Sequence, residues 1–139
     1  MKRTVLDRVN VRQLQPEQVS PAPDLVTADL SFISLSLVLP ALIRCATPGA
    51  DFVLLVKPQF EVGKDRVGAG GVVRDPGLRG EAVATVAAAA AELGLGVAGL
   101  VASPLPGPSG NVEYFLWLRR GAPDLRAAQL DQAIAEGPQ

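Results

Sequence analysis

The pattern of apolar and polar positions along the chain predicts strands and helices in alternation. Short apolar runs bounded by Pro, Gly or Asp are typical of strands, and longer runs with apolar side chains at spacings of three and four are typical of helices. We predict strands over residues 4–6, 24–29, 51–57, 95–102 and 112–118. We predict helices over residues 35–45, 76–93 and 123–136. The first helix contains Pro40, which should lie early in it or kink it.

The order of these elements indicates an α/β fold, with a parallel sheet that ends in a C-terminal antiparallel edge strand. The last two strands are joined by a loop that leaves no room for a crossover helix, so they should pair antiparallel. Within the last strand, Phe115 and Trp117 alternate and are expected to pack in the core. No glycine-rich strand-to-helix turn precedes Thr4, so we interpret the chain as the C-terminal part of a longer protein.

Lys57 is the most informative residue for function, because it ends a buried strand and Pro58 follows at once. A lysine beside a core is costly unless it is paired. Asp29 ends the neighbouring strand, and adjacent strands lie about 4.8 Å apart, so the two side chains could pair. Glu113 starts the antiparallel strand and should reach the same sheet edge. A capping carboxylate or a lysine that extends to solvent is the structural alternative, but three convergent charges favour a catalytic site.

A glycine-rich loop follows Lys57, over residues 63–75. Its glycines, together with Lys64, Arg66 and Arg74, could cradle a phosphate backbone, which makes these three side chains candidates for RNA binding. A flexible surface loop is the structural alternative. The segment does not match a P-loop, because the required Gly-Lys-Ser/Thr ending is absent.

Composition narrows the classes of function. The chain has 139 residues, of which 48% are hydrophobic, as in a folded domain. Its net charge of -1 gives no global attraction to nucleic acid, so RNA contacts must come from a local basic patch or another domain. The absence of His argues against most metal sites, and the single Cys45 suggests a reducing, cytoplasmic compartment. No apolar run is long enough to span a bilayer, so we expect no membrane partner.

Four strings in the sequence resemble those of a known family. They span residues 29–35, 55–61, 70–76 and 103–117. Together they resemble the TlyA (hemolysin A) family of FtsJ-like, S-adenosylmethionine-dependent rRNA 2′-O-methyltransferases, and the match runs from about Leu6 to Arg120. The resemblance implies an incomplete Rossmann-like class I methyltransferase sheet.

The resemblance also implies site residues. The family carries a Lys-Asp-Lys-Glu tetrad, and Asp29, Lys57 and Glu113 match its last three members. The first lysine has no counterpart in this chain. Asn10 matches the segment that borders the adenine pocket of S-adenosylmethionine. Asp29 and Phe32 are the other cofactor-binding candidates.

Domain organisation and partners follow from the same resemblance. Residues 1–120 correspond to the C-terminal part of the methyltransferase domain, and residues 121–139 form a tail helix. The family's S4-like RNA-binding domain and glycine-rich cofactor loop have no counterpart here, so the fragment alone should be inactive. The implied partners are ribosomal RNA and ribosomal subunits.

Several roles stay open at this point. Lys57 could act as a general base toward a ribose 2′-hydroxyl, or as a charged donor that orients it. Phe32 could face the cofactor, stack on an extruded base or simply pack. An amino-group methyltransferase would use a polar strand-end motif like the one at Asp29 but would not need Lys57. A non-catalytic RNA-binding module would not bind cofactor, and a membrane-active hemolysin finds no support in the sequence.

Overall fold

A computed structural model describes Leu6 and residues 8–137. This part of the chain contains four strands and three α-helices, joined by loops with short 3-10 turns. In chain order they are β1 (Leu25–Ala28), α1 (Leu35–Cys45), β2 (Asp51–Val56), α2 (Pro76–Glu92), β3 (Leu95–Ala102), β4 (Tyr114–Arg120) and α3 (Ala127–Glu136). The predicted strand over residues 4–6 lies outside the described residues, apart from Leu6, which is not in a strand.

The four strands form one mixed sheet in the order β1-β2-β4-β3. β1 and β2 are parallel, and β4 runs antiparallel to both β2 and β3. The α/β class and the antiparallel pairing of the last two strands are therefore confirmed. The prediction that the last strand lies at the edge is wrong, because β4 bonds to strands on both sides and β3 takes the edge. The start of β4 lies beside the end of β2, with Tyr114 opposite Val56.

Helix α1 has the predicted bounds because its ends are marked locally. The Ser34 side chain accepts a hydrogen bond from Ser36 N (3.2 Å) and caps the first turn. Val38, Leu39 and Leu42 face the core. Pro40 lies inside the helix on its exposed side, and the helix continues through it.

Helix α2 and strand β3 also follow the predicted bounds closely. Asp75 caps α2 by accepting a hydrogen bond from Gly77 N (2.8 Å), and Pro76 occupies the first helical position. Gly94 has φ +88°, a left-handed conformation that turns the chain from α2 into β3. The small residues Ala82, Val86 and Ala90 let α2 pack closely on the sheet.

Strand β4 corrects two predictions. It spans Tyr114–Arg120 instead of residues 112–118, so Glu113 lies one residue before the strand. Its inward side chains are Tyr114, Leu116 and Leu118, all fully buried, whereas Phe115 and Trp117 are more than a third exposed. The prediction that these two aromatic residues pack in the core is wrong, because they share the outer face of β4 with Arg119, and Tyr114, Leu116 and Leu118 take the inner face.

Helix α3 begins at Ala127, four residues later than predicted, because Pro123 and Asp124 belong to the connection that crosses to it. Pro123 accepts a hydrogen bond through its carbonyl from Val97 N (2.7 Å), which holds that connection against β3. α3 contacts both α2 and β3. Among the described residues, no helix is long and apolar enough to cross a membrane.

Candidate active site at the end of the sheet

Lys57 and Asp29 form an ion pair at the carboxyl ends of β2 and β1. The ammonium nitrogen of Lys57 contacts Asp29 Oδ1 directly. The Lys57 side chain is only 9% exposed, whereas the Asp29 side chain is 70% exposed. The pairing follows from the parallel register, in which Ala28 lies opposite Leu54 and each charged residue extends beyond its strand. A buried amine is thus held beside a carboxylate that solvent can reach.

Ser31 holds the Lys57 side chain from one side, and Pro58 ends the strand behind it. The Lys57 ammonium donates a second hydrogen bond to Ser31 Oγ (3.3 Å). Pro58 begins a 3-10 turn, Pro58–Phe60, that ends the strand immediately after Lys57. An ammonium has three donors, so with Asp29 and Ser31 bonded one donor is left for a third oxygen.

Glu113 lies at the same sheet edge, in a buried position that is 5% exposed. Its Oε2 accepts a hydrogen bond from Gln59 Nε2 (3.3 Å), which links it to the turn that follows Lys57. Glu113 makes no ion pair with Lys57 within 4 Å in the described part of the chain. Gly107 lies directly against it, because an added Cβ there would approach Glu113 Oε2 to 2.1 Å. The catalytic assignment of Glu113 therefore stays a prediction.

An open cleft of about 1100 Å³ lies beside these groups. Ser31, Phe32, Phe60 and Lys64 line part of it. Phe32 is 89% exposed, and its ring contacts the Phe60 ring at a centroid distance of 5.0 Å. The backbone of Phe32 has φ +63°, which non-glycine residues rarely adopt. An exposed aromatic ring on a strained backbone at a cleft favours a role in binding.

Glu61 joins the two segments that carry the ion pair. Its Oε1 accepts a hydrogen bond from Ser34 Oγ (2.6 Å), and its Oε2 accepts one from Leu35 N (2.9 Å). Burial raises the pKa of Glu61, and the bonds from Ser34 and Leu35 partly oppose that rise. The carboxylate therefore bridges the turn after Lys57 and the first residues of α1.

The glycine-rich loop is ordered by contacts with its surroundings. Asn111, 2% exposed, accepts from Val73 N (2.9 Å) and donates to Gly71 O (2.8 Å). Arg74 donates to Ala69 O (3.0 Å) within the loop. These bonds give the loop a defined shape at the cleft.

The three RNA-binding candidates of this loop are placed differently. Lys64 is exposed and lines the cleft. Arg66 makes a two-point ion pair with Glu81 of α2, with nitrogen–oxygen distances of 3.0 and 2.7 Å. Arg74 is exposed but bonded within the loop, as described above. Lys64 is therefore the best placed of the three for a phosphate, and all three assignments stay predictions.

Asn10 is exposed and caps a short 3-10 turn, accepting a hydrogen bond from Arg12 N (3.0 Å). The turn is tied to α1, because Arg44 donates to Arg12 O (2.9 Å) and Leu14 O (2.8 Å). Arg12 lines the cleft that Phe32 borders. The structure thus places the Asn10 segment on the cleft side of α1, but it shows no contact between Asn10 and Lys57.

Sequence reasoning missed several residues of this site. Ser31, Gln59, Glu61 and Asn111 act through contacts with residues 26 to 54 positions away. Their residue types alone carry no signal for such contacts. All four lie inside the motifs that resemble the family, so their proximity to Asp29, Lys57 and Glu113 was the available clue.

Comparison with known proteins defines the class. A family model described as FtsJ-like methyltransferase matches residues 2–120. The chain therefore belongs to the FtsJ-like methyltransferase family, and the resemblance read from its motifs is confirmed.

Individual relatives are more specific. The chain is 58% identical to the 16S/23S rRNA (cytidine-2′-O)-methyltransferase TlyA of Mycobacterium tuberculosis (strain ATCC 25618 / H37Rv), covering 96% of this chain and 52% of that protein. It is 28% identical to Hemolysin A of Brachyspira hyodysenteriae, covering 78% of this chain and 46% of that protein. A crystal structure of a candidate hemolysin from Lactococcus lactis matches with a TM-score of 0.88 at 32% identity, and the match covers 96% of this chain and 65% of that one. The chain spans about half the length of the curated relatives it matches.

Proposed function

We propose that the whole protein transfers a methyl group from S-adenosylmethionine to a ribose 2′-hydroxyl of ribosomal RNA. The observation that carries this proposal is the buried Lys57 amine, bonded to Asp29 and Ser31 at the cleft edge with one donor left. The printed name of the M. tuberculosis relative, a cytidine-2′-O-methyltransferase of rRNA, supports the same reaction.

Lys57 acts on the hydroxyl that is methylated. A 2′-hydroxyl is a weak nucleophile and must lose its proton as the new bond forms. The Asp29 carboxylate pairs with the Lys57 ammonium and offsets the cost of its desolvation, so that the buried amine can carry a charge. In this state the amine orients the hydroxyl oxygen and stabilises the negative charge that develops on it.

The residues present fit part of a cofactor site. The cleft of about 1100 Å³ is slightly larger than most small-molecule sites. The exposed Phe32 ring lines it, and the exposed Asp29 carboxylate lies two residues before Ser31, which also lines it. Asp29, Phe32 and Asn10 would hold S-adenosylmethionine, which supplies an electrophilic methyl group when bound. The remaining cofactor contacts belong to upstream residues of the family.

Ribosomal RNA and ribosomal subunits are the proposed partners, in the cytoplasm. Phe32 offers an exposed face on which an extruded base can stack, with Phe60 supporting the ring from behind. Lys64, Arg66 and Arg74 are the proposed phosphate contacts. An S4-like domain of the whole protein supplies further RNA contacts, which fits a net charge of only -1 on this chain.

The test is to identify the methylated nucleoside. The full-length protein is incubated with ribosomal subunits and S-adenosylmethionine labelled in its methyl group, and the RNA is digested to nucleosides. We expect label in a 2′-O-methyl nucleoside, and none with Lys57→Ala. Label on a base or an exocyclic amine would contradict the proposal and indicate an amino-group or base methyltransferase. RNA binding without cofactor binding would indicate a non-catalytic module.

A further inference from the structure

The loop that carries Asp29 is held to Lys57 and to the turn after it at four successive points. Asp29 and Ser31 contact the Lys57 ammonium, and the Phe32 ring contacts the Phe60 ring. Glu61 makes the last attachment, at the start of α1. We call this attachment the Glu61 clasp, meaning the two hydrogen bonds that Glu61 accepts from Ser34 Oγ and Leu35 N.

The geometry of the clasp fixes both position and direction. The two Glu61 oxygens accept from two adjacent residues, so the carboxylate cannot rotate without losing a bond. Ser34 is held further because its Oγ also accepts from Ser36 N (3.2 Å). A carboxylate at this place also meets the positive end of the α1 dipole. Residues 34 and 35 are therefore a fixed end for the loop.

The loop needs a fixed end because its backbone is strained. Phe32 has φ +63°, a conformation that persists in a bulky residue only when the surroundings determine it. Lys57 holds the loop on one side of Phe32, at Asp29 and Ser31. The clasp holds it on the other side. If the clasp were lost, Phe32 would relax toward an ordinary backbone conformation and Ser31 would move with it.

The clasp carries a cost in stability. Burial raises the pKa of Glu61, so the folded protein disfavours the ionised carboxylate that the two donors bind. A glutamine of the same size would avoid that cost and keep one acceptor. Active sites commonly keep groups that cost stability because they set the geometry of the reaction.

We propose that Glu61 is a positioning residue, which holds the loop over residues 29–34 in place and so sets Asp29, Ser31 and Phe32 against Lys57. This inference rests on the proposed function, since the step that it serves is methyl transfer to the ribose. Glu61 touches neither Lys57 nor Asp29 and acts through Ser34 and Leu35. The effect should therefore appear mainly in the rate of the methyl-transfer step, with a smaller rise in KM for RNA because Phe32 is displaced.

The test uses the full-length protein with Glu61→Ala, Glu61→Gln, Ser34→Ala and the double variant Ser34→Ala/Glu61→Ala. Glu92→Gln, at an exposed glutamate that ends α2, is the matched control. For each variant we measure kcat, KM for RNA and KM for S-adenosylmethionine under steady-state conditions, the single-turnover rate constant of methyl transfer, and Tm. Misplacement of about 1 Å costs up to about 100-fold in rate, so we expect Glu61→Ala to lower kcat about 10- to 100-fold, with a rise in KM for RNA no larger than that of Phe32→Ala.

Glu61→Gln separates positioning from folding. Its amide oxygen can replace only one of the two acceptors, so we expect a smaller loss of kcat together with a Tm equal to or above that of the unsubstituted protein. The double variant should be no slower than Glu61→Ala, because both changes break the same clasp. Glu92→Gln should leave kcat unchanged. A kcat for Glu61→Ala within about twofold of the unsubstituted protein would overturn the inference, as would losses of kcat that follow Tm in every variant.

One readout does not depend on the reaction. If the unsubstituted protein transfers no methyl group to ribose, the proposed function fails, and the clasp is judged by nuclear Overhauser contacts between the Phe32 and Phe60 rings. Those contacts should be present in the unsubstituted protein and in Glu92→Gln and absent in Glu61→Ala. Their persistence in Glu61→Ala would refute the positioning role.

Discussion

Gly107 gives the most specific prediction, because its lack of a side chain makes room for the Glu113 carboxylate. A Cβ at position 107 would lie 2.1 Å from Glu113 Oε2 and 2.4 Å from its Cδ. Gly107 does not have a left-handed φ, so Gly107→Ala is strained only by this contact. The buried carboxylate must move away from Gln59, and overpacking of this kind costs about 1–3 kcal/mol. At about 2–4 °C per kcal/mol, Tm should fall by roughly 2–12 °C.

The assay is thermal unfolding of the full-length protein, paired with the rate of methyl transfer. Gly49→Ala is the matched control, since nothing lies within 4 Å of its added Cβ, and it should change Tm little. In a Glu113→Ala background the clash partner is gone, so Gly107→Ala should then cost less than about 0.5 kcal/mol. An equal cost in both backgrounds would refute the assignment of the clash to the carboxylate.

Three further predictions follow from exposure, charge and burial. Phe32→Ala should change the free energy of unfolding by less than about 0.5 kcal/mol, because the ring is 89% exposed, yet it should raise KM for RNA. Leu105→Ala, at a side chain that is 76% exposed, is its control for both readouts. Lys64→Ala should weaken RNA binding and lessen its salt dependence without lowering the rate at saturating RNA. The pKa of Glu61 is raised above 4.5, so its contribution to stability is fully present below pH 4.5 and is lost as the pH rises through the folded-state pKa. Glu61→Gln does not titrate there and should therefore gain stability relative to the unsubstituted protein as the pH rises to neutrality, as measured by urea unfolding at each pH.

Local signals allowed most element bounds to be predicted from the sequence. α1 and β3 were predicted to the residue, because Ser34 and Gly94 mark their starts and short apolar runs fill them. The predicted end of α3 is confirmed, but its predicted start is wrong, because residues 123–126 belong to a connection that is hydrogen-bonded to β3.

Errors arose where tertiary contacts decide between two local solutions. The alternation along β4 is compatible with either face being inside, because Arg119 and Arg120 end the strand on opposite faces and so do not decide between them. β4 lies inside the sheet because β3 takes the outer position and leaves a gap beside β2 that β4 fills. No local sequence pattern indicates that position of β3.

The candidate site shows the same division. Strand-end placement brought out Asp29 and Lys57, and the structure pairs them. The partners that hold them, Ser31 and Glu61, depend on how the loop before α1 folds over the turn after β2. Their identity could not be read from spacing, because both are common polar residues whose role is set by distant contacts.

The central claim is that the Lys57 amine acts on the ribose hydroxyl. It is tested most directly by the single-turnover rate of methyl transfer by full-length Lys57→Ala, with RNA and S-adenosylmethionine both saturating. Asp29 stays largely solvated when its partner is removed, so the variant should fold. We predict a loss of at least about 100-fold in rate, with RNA affinity unchanged. A rate within about twofold of the unsubstituted protein would contradict the account.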